Sequence, residues 1–248
     1  MREVYFHNIR VSPFSKIQVA EKILERKPVG QHFHFLAAST VVAASRDPKL
    51  LEILNDGVSI CDSKPLSKFI DNFKTPLKNI RGADAFRQTI KNSSSRDRHF
   101  FIGTDDITLM FLNANLLSIN PNFKLVGTCT LYFLETFSEN YLKVLQELSS
   151  TQPTIIWVGL GSPKQDYLAE FIAKEFPASV VAIGAAFDFV SGRKTEAPKV
   201  LQKLSLEWLF RLVSEPRRLG KRYLLGNFFF IILCCREFLR VIQRKASE

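Results

Sequence analysis

TIIWVGLGSPKQDYLAEFIAKEF, residues 154–176, decides the fold. Its opening TIIWV is rich in β-branched and aromatic side chains, the composition of a buried strand. Two glycines and a proline break that run. KQDYLAEFIAKEF then resumes with its apolar residues at helical spacing. A strand needs only a turn signal to end. This one ends in small residues that allow close approach of a ligand, then in polar side chains that could hold it.

The same alternation recurs on both sides. Strand-like runs are HFHFLAA (32–38), VSIC (58–61), HFFIG (99–103), FKLVG (123–127) and SVVAIGAAF (179–187). Between them lie helical patterns: TVVAASRDPKLLEIL, ADAFRQTIKN, DITLMFLNANLL and SENYLKVLQEL. Strands alternating with helices of this length predict an α/β fold, a Rossmann-like, mostly parallel sheet sandwiched by helices. After Gly192 the strand signal stops, and two or three amphipathic helices are expected, with Pro198 and Pro216 at starts or kinks. Residues 1–195 are expected to form the core and 196–248 a helical appendage.

The 248 residues suit one large domain, or one with an appendage. Hydrophobic residues make up 46% and charged residues 23%, which excludes a disordered chain. Net charge is +10, which suggests an anionic partner. Residues 199–248 hold eleven Lys/Arg against four Asp/Glu, so most of the excess lies in the last fifth. Cys61, Cys129, Cys234 and Cys235 form no C-x-x-C and no disulfide framework. The N-terminal MREVYFHNIRVSPF has no apolar core of a signal peptide. FFFIILCC (228–235) falls short of the roughly 20 residues a spanning helix needs.

In open parallel sheets, ligands bind beyond the carboxyl ends of the strands. The exits CDSKP (61–65), GTDD (103–106), GTCTLYF (127–133), GLGSPKQD (159–166) and GAAFDFVSG (184–192) should therefore converge. GLGSPKQD fails as a dinucleotide fingerprint, since Lys164 stands where the third glycine belongs, and it fails as a P-loop. What remains is a glycine turn into a helix N-terminus, with Pro163 at the first helical position, suited to an anion. A plain β–α turn with Lys164 and Gln165 in solvent fits as well, and spacing does not choose between them. Asp62, at the exit of VSIC, can serve as a general base or simply as a turn cap. Asp188 closes SVVAIGAAF in the same two ways. His7, His32, His34 and His99 show no ligand spacing, so no metal is expected. Arg211, Arg217, Arg218, Lys221 and Arg222 adjoin the most apolar stretch, which favours an anionic membrane surface over nucleic acid.

TIIWVGLGSPKQD, then GAAFDFVSG, then AP-x5-LSLEWLFRLVSEPRRLGKRYL resembles the WecB/TagA/CpsF family of bacterial glycosyltransferases, over roughly residues 30–230. The resemblance implies a cytoplasmic enzyme, peripheral on the inner face of the membrane. It would move a sugar from a UDP-sugar donor to an undecaprenyl-diphosphate-linked acceptor, for capsule, exopolysaccharide or teichoic-acid-type polymers. It also implies inversion at the anomeric carbon without metal or other cofactor. Asp62 then sits at the family's D-G-x-P aspartate, here D-S-K-P, as candidate base. Tyr132, Gln165 and Asp188 fall at donor and nucleotide positions, while Gly103, Gly159 and Gly161, glycines at strand exits, are expected to let the donor approach closely. Arg211, Arg218 and Lys221 match cationic positions that face the diphosphate. Two departures stand out. The family's T-x-N after the first strand is Phe35-Leu36-Ala37 here, and Glu196 replaces a basic residue before Ala-Pro.

Rival readings are a non-catalytic nucleotide-sugar binding protein and a nicotinamide-dependent oxidoreductase. The missing G-x-G-x-x-G opposes the latter. The apolar surface at 223–235 could bury itself in a bilayer or in a homo-oligomer.

Overall fold

The computed structural model describes residues 4–73, 76–130 and 137–246; side chains at 72–73, 137–140, 218, 221–225 and 244–246 lie outside that description. The described strands are β1 (Val4–Phe6), β2 (Ile9–Val11), β3 (Gln31–Leu36), β4 (Val58–Cys61), β5 (Arg98–Ile102), β6 (Lys124–Cys129), β7 (Ile155–Val158) and β8 (Ser179–Ala182). The helices are α1 (Lys16–Leu24), α2 (Ala38–Ala44), α3 (Pro48–Asp56), α4 (Lys64–Phe73), α5 (Gly82–Asn92), α6 (Asp106–Ile119), α7 (Phe137–Thr151), α8 (Lys164–Glu175), α9 (Ala186–Val190), α10 (Lys199–Lys203), α11 (Glu207–Ser214) and α12 (Pro216–Ala246).

Six strands form one parallel sheet in the order β4-β3-β8-β7-β5-β6, as the alternating pattern predicts. Parallel strands need crossovers, and the helices supply them on both faces. On one face Phe33 and Phe35 of β3, Phe101 of β5 and Trp157 of β7 pack against α1, α5, α6 and α9. On the other, Phe100, Ile156, Val158 and Val180 pack under α7 and α8. Adjacent strand residues thus serve opposite cores, which is why the buried strands read as unbroken apolar runs.

Three details differ from the sequence reading. The run 179–187 stops being a strand at Ala182, and Ala186–Val190 coils into α9 with Phe187 buried in the core. An apolar run without alternation does not separate strand from buried helix. TVVAASRDPKLLEIL is two helices, because Asp47 caps α3 through the N–H groups of Lys49 and Leu50, with Pro48 at its first position. Pro163 stands one residue before α8, at the cap. The hairpin β1–β2, turned through His7 (φ 47°) and Asn8 (φ 68°), adds a small two-stranded sheet. Its Val4, Phe6, Ile9 and Val11 share one apolar cluster with Phe230 and Leu233 of α12.

Candidate active site

Asp62 is placed by backbone pairing. Its N–H donates to the carbonyl of Leu36 at 3.1 Å, one step past the end of β4. The N–H of Ile80 donates to the Cys61 carbonyl at 2.8 Å and brings Arg81 and Gly82 alongside. Gly82 opens α5 and offers its N–H to the Asp62 carboxylate. A cavity of about 1150 Å³ opens here, over the carboxyl ends of β3, β4 and β8. Asp62, Arg81, Gln165 and Gly184 line its core side, and Glu207, Trp208 and Arg211 of α11 line the other.

Burial, then repulsion from Glu207, pushes the Asp62 carboxyl up to about 7. Arg81, the Gly82 N–H and Arg211 oppose the shift without cancelling it. A carboxylate with that proton affinity is matched to taking a proton near neutral pH.

Arg81, only 11% exposed at its side chain, ties the core to the chain beyond residue 195. It meets Glu196 at 2.7 Å and Glu207 at 3.1 Å, and donates to the Gln202 side chain at 3.3 Å. Glu196 also pairs with Arg87. Against the cost of burial, the two arginines hold its carboxyl below the usual carboxylate range. The departure at position 196 is thus an acid seated between two cations. Lys64 extends the same seam by donating to the Gln202 carbonyl at 3.1 Å. The sequence places Arg81 only near Asp84 of the following helix, because a lone arginine there carries no signal of its distant partners.

Gln165 does contact the turn it belongs to. Its Oε1 accepts from the N–H of Gly161 at 3.0 Å and of Gly184 at 2.8 Å. One amide therefore pins the exits of β7 and β8 together. Gly161 (φ 81°) has open space where a Cβ would stand, so only its backbone angle requires glycine. Gly159 is different: a Cβ there would lie 2.5 Å from the Phe187 ring, so it serves core packing rather than ligand approach. Gly103 (φ 98°) likewise backs onto Leu160 and Gly159. Neither Gly103, Gly159 nor Gly161 lines the cavity. Asp188 also stands off it, its carboxylate 2.7 Å from Lys194. Arg211 lies 5.3 Å above the Phe189 ring, and its Nε is buried without an acceptor among the described residues. Tyr132 and the side chains of Arg218 and Lys221 lie outside the described residues.

Phe35, Ala37, Ala38, Ser39 and Thr40 form the wall where β3 runs into α2. Ala37 is the N-cap of α2 and provides no side-chain cap. That wall therefore offers an aromatic edge, methyls and two hydroxyls.

The arrangement puts a basic carboxylate, a cation with an open donor and a pinned double turn around one cleft. The model of the glycosyl transferase WecG/TagA/CpsF family matches residues 4–244. The chain belongs to that family. It is a glycosyltransferase. It is also similar to the N-acetylglucosaminyldiphosphoundecaprenol N-acetyl-beta-D-mannosaminyltransferase of Bacillus subtilis (strain 168), 24% identical over 73% of this chain and 68% of the relative. The match starts at Val4, so the family pattern takes in the hairpin β1–β2, outside the span that motif reading alone covered. Among the described residues of this family member, no helix is long and apolar enough to cross a membrane.

Proposed function

We propose that this glycosyltransferase moves a sugar, of the N-acetylhexosamine type, from a UDP-sugar to a sugar carried on undecaprenyl diphosphate, with inversion and without a metal ion. The Asp62 carboxylate beside Arg211 in one cleft carries the reading, and the activity named for the Bacillus relative supports the acceptor class. An acceptor hydroxyl attacks the anomeric carbon from the face opposite the nucleotide. The new C–O bond forms as the bond to the diphosphate breaks, and Asp62 takes the hydroxyl proton. The leaving diphosphate keeps the bonding electrons, and Arg211 balances the charge.

Residues 196–248 close the cleft in this reading, and Arg81 is the clasp. Exposed Phe228, Ile231, Leu239 and Ile242 on α12, in the most basic part of the chain, suit peripheral contact with the inner face of an anionic cytoplasmic membrane. The test is turnover of UDP-N-acetylhexosamines with a lipid-diphosphate-linked N-acetylglucosamine acceptor, comparing wild type with Asp62→Asn. Sugar transfer by the wild type, lost in the variant while UDP still binds, is expected. Transfer at wild-type rate by Asp62→Asn refutes the assigned base.

A further inference from the structure

Beneath the Gln165 turn, four side chains form a hydrogen-bonded chain that the sugar-transfer reading does not use. Asp166 Oδ1 lies 2.8 Å from His34 Nδ1. His34 Nε2 lies 2.7 Å from His32 Nδ1, and His32 Nε2 lies 3.2 Å from Asp56 Oδ2. The inner pair is sealed, with side chains 0% and 2% exposed, whereas the Asp56 side chain is 71% exposed.

Three hydrogen bonds in a row need three hydrogens. Two neutral imidazoles bring one each. With Asp56 accepting at the outer end, the third hydrogen must come from elsewhere. Burial keeps the His32 ring neutral, so it sits on His34 as a second N–H, or on Asp166 as a carboxylic acid. Either way, the Asp166–His34 pair has no net charge, as a pair this deeply buried requires. The third residue of α8 is Asp166, where the helix dipole favours a carboxylate and so places the proton on His34.

We propose that the buried Asp166–His34 pair holds one proton of its own in the folded enzyme, supplied from the surface through His32 and Asp56, and that this proton fixes the turn bearing Gln165. The last part rests on the reading of the cleft as the donor site.

His32 supports the count, since burial and then His34 push its ring down to about 4, so it enters as a neutral imidazole. The other titratable groups nearby come from α3 and α8. Glu170 of α8 acts on His32 and is itself paired with Lys174 and with Lys49 of α3 at 3.8 Å. Tyr167 donates to Asp47. The strand partners of His32 and His34 on β4 and β8, Ser59, Val180 and Ala182, carry no titratable group. Asp166 Oδ2 has no partner among the described residues, so loss of the proton would leave an uncompensated buried carboxylate. It would also leave His32 Nε2 bare against Asp56. Both effects fall one residue from Gln165.

The test is nitrogen NMR of the full chain with labelled histidine, resonances assigned by His7→Gln and His99→Gln, together with the Asp166 carboxyl carbon shift. At pH 7, three protonated nitrogens among the four of His32 and His34 are expected. Two protonated nitrogens with an un-ionised Asp166 carry the same proton and also support the proposal. Two with an ionised Asp166 overturn it. Asp166→Asn, whose amide oxygen can still accept from His34, should show only two protonated nitrogens. UDP affinity of the wild type should fall roughly three- to tenfold, about one net hydrogen bond, across the pH range in which the third proton is lost. The affinity of Asp166→Asn should be flat over that range. Parallel profiles would overturn the link to Gln165. Failure of UDP to bind at any pH would refute the donor-site reading and with it the link, while the nitrogen spectra still decide the proton.

Discussion

Replacing Asp62 by Asn should stabilise the protein while disabling it, and the stabilisation should grow with pH. In the folded chain the Asp62 carboxyl is raised from an ordinary 3.8 to about 7. Between those values the folded form holds a proton that the unfolded form has released. Stability from this group is therefore present at low pH and lost as pH rises through that window, at about 1.4 kcal/mol per unit. From pH 5 to pH 8 the wild type loses about 2.7 kcal/mol relative to Asn, which never ionises. Water in the cavity cuts that to roughly half. For a chain of this size about 1.5 kcal/mol corresponds to roughly 3–6 °C in Tm. The assay is thermal unfolding of both proteins at pH 5 and pH 8. The Tm advantage of Asp62→Asn should widen by that amount, while kcat falls by about 100-fold or more. An advantage equal at both pH values would show that Asp62 is not a strained, proton-seeking carboxylate, and the assignment of the base would lose its physical support.

Gly159→Ala should lower stability by about 1–3 kcal/mol, because its Cβ meets the Phe187 ring, whereas Gly161→Ala meets nothing and should cost about 1 kcal/mol from its backbone angle alone; urea denaturation measures both. Gln165→Ala removes the acceptor shared by the N–H groups of Gly161 and Gly184, so UDP affinity should drop at least about tenfold, read by calorimetry. Arg81→Ala cuts the ties to Glu196 and Glu207, and limited proteolysis should then cleave within 193–206 much faster than in wild type, while the sheet stays resistant. Arg211→Ala should reduce kcat by about 10²-fold and weaken UDP binding, with little change in UDP-sugar affinity, as expected of a cation that acts on charge formed at the leaving group.

The parallel sheet was legible because each of its strands is a short β-branched or aromatic run followed by a glycine or polar exit. The hairpin β1–β2 was not, since three residues per strand leave no periodicity to read. Asp62 and Gln165 were found at strand exits, and both line the cleft. Asp188 and Gly159 occupy equally suggestive exits, yet one faces Lys194 and the other Phe187. Which exit opens to the cleft depends on how far each strand runs, and β8 ends five residues earlier than its apolar run. The Arg81 seam depends on partners more than 100 residues away. His32 and His34 did carry a signal: two apart on a strand, they share a face, here the one under α8.

The packing of Phe230 and Leu233 beside Val4 and Phe6 has a consequence for the order in which the molecule assembles. The hairpin β1–β2 is made long before α12, the helix that completes the cover of its apolar face. Until α12 arrives, that face of α2 and the hairpin stays wet, and a chain cut after Lys199 would keep it so permanently. Self-association of a shortened chain would then report an uncovered core, not the native oligomeric state. The helix that carries the exposed Phe228 and Ile231 also seals this cluster, so one segment both covers the core and presents a surface-seeking face.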